Sequence, residues 1–427
     1  MSNDLSVVNI TPAKLNGIVT APPSKSYSHR AIICGALSGG KCEISSLIFS
    51  EDILATMNGM KEIGANITVC EDSVLINDFK SVQNNIVIDS FDSCSTLRFI
   101  IPIVASLGIE SIFKRSLGLA KRPMIEYLKI LEKAEVKSEV CSDLSLKIGG
   151  KLKSGKFLIP GNISSQFVSG LLMALPMIDG NSEIEMTSKL ESSKYVDITI
   201  DVMKKFGVCI EKTSNGFFIA GNQKYKPTDY IVEGDWSQGG FFMVAGSIGG
   251  NITIKNLNKN SFQGDKEIFK LLSKFGANIS WNENQVEIKK SKLWGINIDA
   301  SEIPDLIPIL SVAAANAEGV TEITNAGRLK FKECDRLDAI YRQLKSLGVD
   351  IKKLDDGLII KGKGKWNGGV AWSHNDHRIA MALSIMAINL PENLKITHAE
   401  AIKKSYPDFF EDYNSIGGKV DVVDMGK

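Results

Sequence analysis

The sequence predicts an α/β (α+β) protein with two similar domains, each made of three repeats of one helix and strand pattern. Six strongly apolar segments with helical character recur at intervals of roughly 70 residues. Each is followed by a short segment rich in β-branched residues, which is typical of a strand. A chain of 427 residues is also long enough for two domains with separate hydrophobic cores.

The six apolar segments are predicted to be buried helices. Each begins with small polar or acidic residues, is apolar nearly all round, and ends in a turn. They start at Ser24, Ser93, Ser164, Asp235, Pro304 and Asp376. Before the first of them, Pro22 and Pro23 prevent a helix from extending upstream, and Ser24 is predicted to cap the helix.

A fixed order of elements follows each buried helix. The strands are KCEISSL, ESIFKRS, NSEIEMTS, NITIKNL, VTEITNA and LKITHA. A second, amphipathic helix then ends in a glycine before two strands joined by a turn, as in IYRQLKSLGVDIKKLDDGLIIKG. The last repeat, DYNSIGGKVDVV, lacks one strand, which either LSVVNI or NGIVT from the start of the chain is predicted to supply.

If the start of the chain supplies a strand to the last repeat, the domain that contains this repeat is discontinuous. Residues 24–234 form one three-repeat domain, and residues 1–23 and 235–427 form the other. Two short crossings between the domains allow a hinge. If the domains face each other, three buried helices from each direct their partly positive N-termini into one cleft, which would attract anions.

Composition excludes several classes of function. A formal net charge of +1 argues against a nucleic-acid binder. Seven cysteines without a CxxC pair suit a reducing cytoplasm, and His374 with His377 is weak evidence for a metal site. We see neither a signal peptide nor an apolar stretch long enough to span a bilayer. We therefore expect a cytoplasmic protein without membrane or nucleic-acid partners.

Polar side chains gather at the starts of the first three buried helices. Lys25 and Arg30 lie in the first turns of one helix, which makes sense if a phosphate or carboxylate binds there, although a solvated turn is an equal alternative. Arg98 and Arg122 can bind such groups bidentately, or lie on the surface. Hydroxyl and amide groups that suit a polyhydroxylated or phosphorylated substrate come from Ser164, Ser165, Gln166, Ser192 and Tyr195.

The second half of the chain carries candidate acids and bases. Asp305 is either a favourable contact with a helix dipole or a general base. The run Lys332-Glu333-Cys334-Asp335-Arg336 is either a solvated helix start or part of a site. In a site, Arg336, Arg378 and Lys404 would neutralise a small anion, and Glu333 would transfer protons. Nucleotide-binding fingerprints and a Ser/His/Asp elbow are absent from the sequence.

The motifs closely resemble the 5-enolpyruvylshikimate-3-phosphate synthase family, the 3-phosphoshikimate 1-carboxyvinyltransferases. The match runs from Pro22 to Asp408 in the order SKSYSHRA, LRF, KRP, SSQF, YVDIT, EGD, IPD, KECDRL, NDHRIAM and KKSYPDFF. The resemblance implies the enolpyruvyl transferase fold, an inside-out α/β barrel of two domains with three βαβαββ units each, which close over substrate. It implies transfer of the enolpyruvyl group of phosphoenolpyruvate to the 5-hydroxyl of shikimate 3-phosphate in chorismate and aromatic amino-acid biosynthesis.

The resemblance also implies addition and elimination through a tetrahedral intermediate, without a metal or organic cofactor, in a monomer. Residues 24–234 would bind mainly shikimate 3-phosphate, and the other domain would supply most phosphoenolpyruvate contacts and the catalytic carboxylates. The shikimate 3-phosphate contacts would be Lys25, Ser26, Arg30, Ser164, Ser165, Gln166, Ser192, Tyr195, Asp305 and Lys332. The phosphoenolpyruvate contacts would be Lys25, Cys94, Arg98, Arg122, Gln166, Arg336, Arg378 and Lys404.

The resemblance implies four catalytic residues. Asp305 would take the proton of the 5-hydroxyl, and Glu333 would serve the methylene carbon as acid and then as base. Lys25 and Lys404 would assist protonation of the leaving group. Buried cations make such steps plausible because they lower the cost of developing negative charge.

The chain departs from the family at Cys94, which aligns with a glycine that lies against phosphoenolpyruvate. The added side chain should crowd a bulkier mimic such as glyphosate, so we expect reduced sensitivity to it. His29, where asparagine is frequent, and the GDWSQGG stretch are further departures without an assigned function.

Two alternatives to this function remain. UDP-N-acetylglucosamine enolpyruvyl transferase shares the fold and chemistry, although SSQF and SKSYSHR favour the shikimate substrate. A non-catalytic module that binds anions or RNA ends on a related fold is the other, and the pair Asp305 and Glu333 argues against it because carboxylates do not help to hold anions.

Overall fold

A computed structural model of the chain describes residues 6–79, 84–283 and 285–424. The helices are α1 (Lys25–Leu37), α2 (Glu51–Ile63), α3 (Cys94–Leu107), α4 (Leu117–Ala120), α5 (Ile125–Glu132), α6 (Ser165–Ala174), α7 (Ser193–Lys205), α8 (Trp236–Gly249), α9 (Glu267–Lys274), α10 (Ile307–Asn316), α11 (Arg336–Ser346), α12 (His377–Met386) and α13 (Phe409–Ser415). Short 3-10 helices comprise Leu175–Met177, Gly264–Lys266, Pro304–Leu306, Gly327–Phe331, Ala387–Asn389 and Ala399–Lys404.

The strands are short and lie between these helices. They are β1 (Ser6–Ile10), β2 (Asn16–Thr20), β3 (Cys42–Ser45), β4 (Asn66–Val69), β5 (Ser73–Asn77), β6 (Ile86–Asp89), β7 (Ser111–Lys114), β8 (Val136–Val140), β9 (Leu146–Gly150), β10 (Lys156–Ile159), β11 (Ser182–Met186), β12 (Glu211–Thr213), β13 (Gly216–Ile219), β14 (Tyr230–Ile231), β15 (Asn251–Lys255), β16 (Asn278–Asn282), β17 (Gln285–Lys289), β18 (Asn297–Asp299), β19 (Val320–Thr324), β20 (Asp350–Leu354), β21 (Gly357–Lys361), β22 (Gly369–Trp372), β23 (Leu394–Thr397) and β24 (Val420–Asp424).

The chain divides into two compact units. The continuous unit is Pro23–Glu233, and the discontinuous unit combines Met1–Pro22 with Gly234–Lys427. Each unit has its own large cluster of buried hydrophobic side chains. Each unit therefore folds around its own hydrophobic core.

The continuous unit contains three open four-stranded sheets, with the orders β14-β3-β5-β4, β6-β7-β9-β8 and β10-β11-β13-β12. In each sheet the first two strands are parallel and the other pairs are antiparallel. A parallel pair needs a crossover, which α3 provides between β6 and β7 and α6 provides between β10 and β11. The sheet of β3 takes its first strand, β14, from the other end of the unit.

The discontinuous unit repeats this plan in the orders β16-β17-β15-β2, β18-β19-β21-β20 and β22-β23-β1-β24. Strand β2 pairs in parallel with β15, although more than two hundred residues separate them. Strand β1 pairs antiparallel with both β23 and β24. Of the two candidates in the sequence, LSVVNI therefore completes the last repeat, and NGIVT joins another sheet.

Six helices form the centres of the two cores, and nearly all of their residues are buried. They are α1, α3 and α6 in the continuous unit and α8, α10 and α12 in the discontinuous unit. An α-helix that is apolar all round must be covered on all sides. The predicted α/β class with buried helices in repeated units is confirmed.

Two local expectations were wrong. Ser24 precedes α1 in an extended conformation but makes no capping hydrogen bond, and within the described residues its buried hydroxyl has no hydrogen-bond partner. Asp305 lies in the separate 3-10 helix Pro304–Leu306 rather than in the first turn of α10. Pro308 in the first turn of α10 explains the second difference, because it has no N–H to bond the carbonyl oxygen of Pro304, which bonds the amide of Ile307 instead.

Candidate active site

In the continuous unit, Lys25 lies in the first turn of α1 and forms an ion pair. Its Nζ is 2.8 Å from Oδ2 of Asp52 in the first turn of α2. Both side chains are mostly buried, so water screens the pair only weakly. The carboxylate compensates the cation that the positive end of α1 would otherwise repel.

Arg30 is buried and joins α1 to α7. Its Nε donates a hydrogen bond to Oγ1 of Thr199 at 2.7 Å. Its other nitrogens donate to the carbonyl oxygens of Ser26 and Tyr195, at 2.7 and 3.1 Å. The guanidinium also lies over the Phe99 ring, 4.9 Å from the centroid. Burial lowers the pKa of Arg30 to about 10, which leaves the side chain charged at neutral pH.

Arg98 connects the starts of α3 and α6. Its Nη1 donates to Oγ of Ser164 at 3.1 Å and to Oε1 of Gln166 at 3.0 Å. Its Nη2 donates to the carbonyl oxygen of Pro123 at 2.7 Å. The side chain is buried, and its guanidinium lies 4.8 Å from the centroid of the Phe167 ring. The structure therefore brings together Arg98, Ser164 and Gln166.

The backbone of Arg98 is held by an irregularity in α3. Pro102 has no N–H, so it leaves the carbonyl oxygen of Arg98 without its helical donor. The hydroxyl of Tyr127 donates to that oxygen at 3.4 Å. Helix α6 passes close by at Gly170, where a Cβ atom would lie only 2.4 Å from the same oxygen. A side chain at Gly170 would therefore displace the backbone of Arg98.

Small residues line the starts of α3 and α6. Cys94 and Ser165 are the first residues of these helices, and both are buried. Nε2 of Gln166 donates to Oγ of Ser95 at 2.9 Å, and Oγ of Ser164 caps α6 by accepting from the amide of Gln166 at 3.2 Å. These bonds connect Cys94 and its neighbours to the Arg98 cluster.

The remaining predicted residues of this unit lie in or next to other helices. Ser192 is buried just before α7 with a positive φ of 53°, and Tyr195 lies in the first turn of α7, where its carbonyl oxygen accepts from Arg30. Ser26 is half-buried in α1. Arg122 is half-buried between α4 and α5, next to Pro123, whose carbonyl oxygen accepts from Arg98.

A buried chain of polar groups runs beneath these helix starts. Nδ1 of His29 is 2.7 Å from Oγ1 of Thr56, which is 2.6 Å from Oγ1 of Thr96. Thr96 in turn donates to Oγ of Ser93, the N-cap of α3, at 2.7 Å. Burial, with the nearby charges of Lys25 and Arg30, holds the pKa of His29 well below its ordinary value of 6.5. A neutral His29 thus links α1, α2 and α3.

In the discontinuous unit, Asp305 is surrounded by cations. Its Oδ1 lies 2.7 Å from Nη1 of Arg336 and 3.1 Å from Nζ of Lys332. Its Oδ2 lies 3.4 Å from Nη2 of Arg378, and its carbonyl oxygen accepts from Nη1 of the same arginine at 3.2 Å. Three predicted cations therefore converge on one predicted carboxylate.

These cations determine the protonation of Asp305. Burial by itself raises the pKa of the carboxyl group, but the three positive charges outweigh burial and hold the pKa well below its usual value. The pKa of Lys332 is lowered as well, because burial lowers it more than Asp305 raises it, and for a lysine this favours the neutral form. With the site in this arrangement, Asp305 is a stable anion and a weak base.

Arg336 is the centre of the cluster and contacts three carboxylates. Besides Asp305, its Nη2 donates to Glu333 and its Nε donates to Oδ2 of Asp376 at 2.7 Å. The side chain is buried, and although burial lowers its pKa, the three carboxylates raise the pKa of Arg336 well above the ordinary value. The KECDR run does open α11, with Asp335 as its exposed N-cap, but its arginine lies in the protein interior and is not solvated.

Lys404 lies at the end of the 3-10 helix Ala399–Lys404 and is buried. Its Nζ donates to the carbonyl oxygen of Asn375 at 3.0 Å, next to the N-cap of α12. The structure thus places Lys404 beside the segment that leads to Arg378. We find no group of three or more His, Cys, Asp or Glu side chains within residues 6–79, 84–283 and 285–424 that is arranged to hold a metal ion.

The sequence reasoning missed four residues of these clusters. Asp52 pairs with Lys25, Asp376 pairs with Arg336, and Asp265 with Ser237 lies beside Arg378. The sequence offered a signal for two of them, because Ser237 and Asp376 lie among the polar residues at the starts of two predicted buried helices. The others become neighbours of the site only when distant elements pack together.

The family model for EPSP synthase (3-phosphoshikimate 1-carboxyvinyltransferase) matches residues 10–413 of the chain. The chain belongs to the EPSP synthase family. The 3-phosphoshikimate 1-carboxyvinyltransferase of Clostridium novyi (strain NT) is 48% identical, over 98% of this chain and 99% of that protein. The enzyme of the same name from Clostridioides difficile (strain 630) is 45% identical, with the same two coverages.

Solved structures agree with the family assignment. The EPSP synthase of Acinetobacter baumannii superposes with a TM-score of 0.82 at 27% identity and covers 98% of this chain and 100% of that chain. The enolpyruvyl transferase NikO from Streptomyces tendae has a TM-score of 0.80, with coverages of 99% and 100%, but at 15% identity it supports the fold alone. The predicted family and the enolpyruvyl transferase fold are confirmed.

The protein is an enzyme of this family, a transferase of the shikimate pathway that acts in aromatic amino-acid biosynthesis. Its substrates are shikimate 3-phosphate and phosphoenolpyruvate. Among the helices that the structure describes, none is both long and apolar enough to cross a membrane.

Proposed function

We propose that Asp305 and Glu333, together with the cations around them, carry out the enolpyruvyl transfer of this family. The observation that supports this most directly is the convergence of Lys332, Arg336 and Arg378 on the carboxylate of Asp305. Cations arranged around an anion can also bind the phosphate and carboxylate of phosphoenolpyruvate. A second carboxylate, Glu333, bonded to Arg336, supplies a separate acid and base.

Shikimate 3-phosphate is assigned mainly to the continuous unit, residues 24–234 in the sequence prediction. The proposed contacts are Lys25, Ser26, Arg30, Ser164, Ser165, Gln166, Ser192 and Tyr195, with Asp305 and Lys332 from the discontinuous unit. The hydroxyls of Ser164, Ser165 and Ser192 suit a phosphate group and ring hydroxyls because each can donate and accept. Arg30 has five N–H donors, so its bonds to Thr199, Ser26, Ser169 and Tyr195 do not exhaust its capacity to bind a phosphate.

Most of the residues proposed to bind phosphoenolpyruvate carry a positive charge. The proposed contacts are Lys25, Cys94, Arg98, Arg122, Gln166, Arg336, Arg378 and Lys404. Arginine suits this substrate because its planar fork matches both carboxylate and phosphate oxygens. Cys94 is assigned a packing contact rather than a charge contact.

The proposed reaction begins with proton transfer at two atoms. Asp305 takes the proton of the 5-hydroxyl of shikimate 3-phosphate while the hydroxyl oxygen bonds to C2 of phosphoenolpyruvate. Glu333 protonates C3, so the double bond between C2 and C3 becomes a single bond and C3 becomes a methyl group. In the second step Glu333 removes a proton from C3, the double bond re-forms, and the bond from C2 to the phosphate oxygen breaks. Lys25 and Lys404 assist protonation of the departing phosphate.

The basicity of Asp305 links binding to chemistry in this proposal. Three cations hold the pKa of Asp305 well below its usual value, which makes the carboxylate a weak base. When the anionic groups of phosphoenolpyruvate take over hydrogen bonds from Arg336 and Arg378, that stabilisation decreases and the pKa of Asp305 rises. The general base is then stronger when both substrates are bound.

Phosphate release tests the proposed function. The purified enzyme should release phosphate from phosphoenolpyruvate with shikimate 3-phosphate as acceptor and should release none with UDP-N-acetylglucosamine. Release with the sugar nucleotide alone would mean that the acceptor is wrong, and no release with either would favour a binding module. The variant Asp305→Ala should lose activity by about a hundred-fold or more while still binding shikimate 3-phosphate. Unchanged activity in this variant would contradict the assigned base.

We also propose a cytoplasmic location and a monomeric state. All seven cysteines are free thiols, which suits a reducing compartment. Cell fractionation tests the location, and light scattering at micromolar concentration tests for a mass near 46.5 kDa. Neither nucleic acid nor membrane is assigned as a partner, because the net charge of +1 gives no excess of basic residues.

A further inference from the structure

A buried hydrogen-bond relay leads from Arg378 to a carboxyl group that has no role in the reaction described above. Nη1 of Arg378 donates to Oγ of Ser237 in the first turn of α8, at 2.5 Å. The Ser237 hydroxyl is hydrogen-bonded to Asp265 in the 3-10 helix Gly264–Lys266. A hydroxyl has one hydrogen to donate, so when it accepts from Arg378 and donates to Asp265, its orientation is determined.

The relay is buried and firmly attached to the fold. Ser237 and Asp265 are both about 4% exposed. The segment that carries Asp265 is fastened to the start of α8 by Gln263, whose Oε1 accepts from the amide of Trp236 at 3.0 Å. Its Nε2 donates to the carbonyl oxygen of Gly234 at 2.8 Å. These bonds hold the segment that carries Asp265 against the N-terminus of α8.

Charges around Asp265 make its protonation depend on whether an anion is bound at Arg378. The charged groups that face it are Asp305 from Pro304–Leu306, Arg378 from α12 and Asp235 from the N-cap of α8. Burial, followed by the charge of Asp305, raises the pKa of Asp265 to about 7, against the opposing effect of Arg378. An anion bound at Arg378 adds negative charge nearby and thus favours the protonated carboxyl group.

We propose that Asp265, acting through the hydroxyl of Ser237, positions the guanidinium of Arg378 for phosphoenolpyruvate and takes up a proton when that substrate binds. Asp265 is a positioning residue and does not touch the reacting atoms. This inference rests on the proposed role of Arg378 as a phosphoenolpyruvate contact. It also gives a function to the GDWSQGG stretch, because Ser237 lies within it.

Two variants test the relay at different points. Ser237→Ala removes one hydroxyl, and we expect KM for phosphoenolpyruvate to rise about ten-fold with kcat and KM for shikimate 3-phosphate little changed. Asp265→Asn keeps an acceptor for Ser237 but cannot titrate. At pH 6 it should bind phosphoenolpyruvate about as tightly as the native enzyme does. At pH 8.5, where the native carboxyl group is charged and opposes the anion, the variant should bind about ten-fold more tightly, which corresponds to a change of about one unit in the pKa of Asp265 on binding. Comparing the two proteins at each pH cancels the titration of the substrate itself.

Proton uptake gives a direct readout that a merely structural role would not move. Calorimetric titration with phosphoenolpyruvate, in the presence of shikimate 3-phosphate and in two buffers of different ionisation enthalpy, counts the protons bound at pH 7. The native enzyme should take up more protons than Asp265→Asn. Equal uptake, or KM values for phosphoenolpyruvate that keep the native pH dependence in Asp265→Asn, would overturn the inference. Ser237→Ala, the milder change, decides the positioning role if Asp265→Asn does not fold.

A third variant separates this inference from the proposed function. Arg378→Lys keeps the charge but loses the planar fork, and we expect KM for phosphoenolpyruvate to rise. If it rises while Ser237→Ala and Asp265→Asn behave like the native enzyme, the relay is wrong and the role of Arg378 stands. If KM is unchanged in Arg378→Lys, the assigned role of Arg378 fails, and the relay fails with it.

Discussion

The carboxylate of Asp376 bonds to the side chain of Arg336 and at the same time caps helix α12. Its Oδ2 accepts from Nε of Arg336 at 2.7 Å, and its Oδ1 accepts from the amides of Arg378 and Ile379 at 2.8 and 3.4 Å. Both side chains are almost completely buried. One residue therefore holds the central arginine of the cluster and the helix from which Arg378 extends.

Replacing Asp376 should destabilise the discontinuous unit strongly. Asp376→Ala leaves a buried arginine with one partner fewer and removes a helix cap. We expect a loss of about 3 to 5 kcal/mol in the free energy of unfolding, measured from urea transitions followed by circular dichroism. Asp335→Ala is the matched control, because Asp335 caps α11 from an exposed position. It should cost only about 1 kcal/mol, and equal losses in the two variants would contradict a special role for Asp376.

Local patterns in the sequence were sufficient to predict the six buried helices. A helix such as α8 is apolar over its whole length and begins after a capping residue, Asp235, so both its type and its start can be recognised. The pairing of β2 with β15 could not be predicted in this way. Nothing in the composition of NGIVT distinguishes a strand that completes one sheet from a strand that joins another, because pairing depends on which edge is nearby after folding.

The buried imidazole of His29 should make stability depend on pH. Because its pKa is well below 6.5 in the folded state, the unfolded chain binds a proton below pH 6.5 and the folded chain does not. This contribution to stability is complete above pH 6.5 and is lost as the pH falls. His29→Asn should therefore show a smaller decrease in unfolding free energy between pH 7 and pH 5 than the native protein.

Urea unfolding at several pH values between 5 and 7 gives the slope of unfolding free energy against pH for the native protein and for His29→Asn. The slope should be smaller in His29→Asn. An equal slope in the two proteins would mean that His29 accepts a proton in the folded protein.

Cys94 should reduce sensitivity to glyphosate. It is the buried first residue of α3, beside Ser95, whose hydroxyl accepts from Gln166. A side chain that contacts phosphoenolpyruvate would crowd a bulkier mimic. The inhibition constant should fall in the order native, Cys94→Ala, Cys94→Gly, with about a ten-fold difference between the extremes. A low-micromolar constant for the native enzyme, or equal constants for all three, would refute this assignment.

The residues predicted for the candidate site were easier to recognise in the sequence than the partners that the structure gives them. Arg336 and Asp305 stand in short charged or proline-containing motifs that can be recognised in a linear sequence. Asp52 is 27 positions from Lys25, and Asp265 lies in a segment with no distinctive charge pattern. Their importance comes from burial, which turns an ordinary aspartate into a partner for a lysine or into a carboxyl group with a raised pKa.

The close approach of α6 to α3 predicts a strong effect of one added methyl group. In Gly170→Ala the new Cβ would lie 2.4 Å from the carbonyl oxygen of Arg98 and 2.9 Å from the hydroxyl of Tyr127. Backbone cannot yield as a flexible side chain can, so α6 must move away from α3. We expect a loss of about 1 to 3 kcal/mol in stability and a higher KM for phosphoenolpyruvate, since Arg98 and Gln166 would separate.

The matched control is another glycine within a buried helix. At Gly239 in α8 a Cβ atom would have its nearest neighbours at 3.6 Å, which is ordinary van der Waals contact. Gly239→Ala should therefore be neutral or stabilising by about 0.5 to 1 kcal/mol, because alanine favours a helix more than glycine does. Thermal unfolding of both variants compares the two sites directly. If Gly170→Ala is as stable as Gly239→Ala and keeps the native KM, close packing against α3 does not hold Arg98 in place.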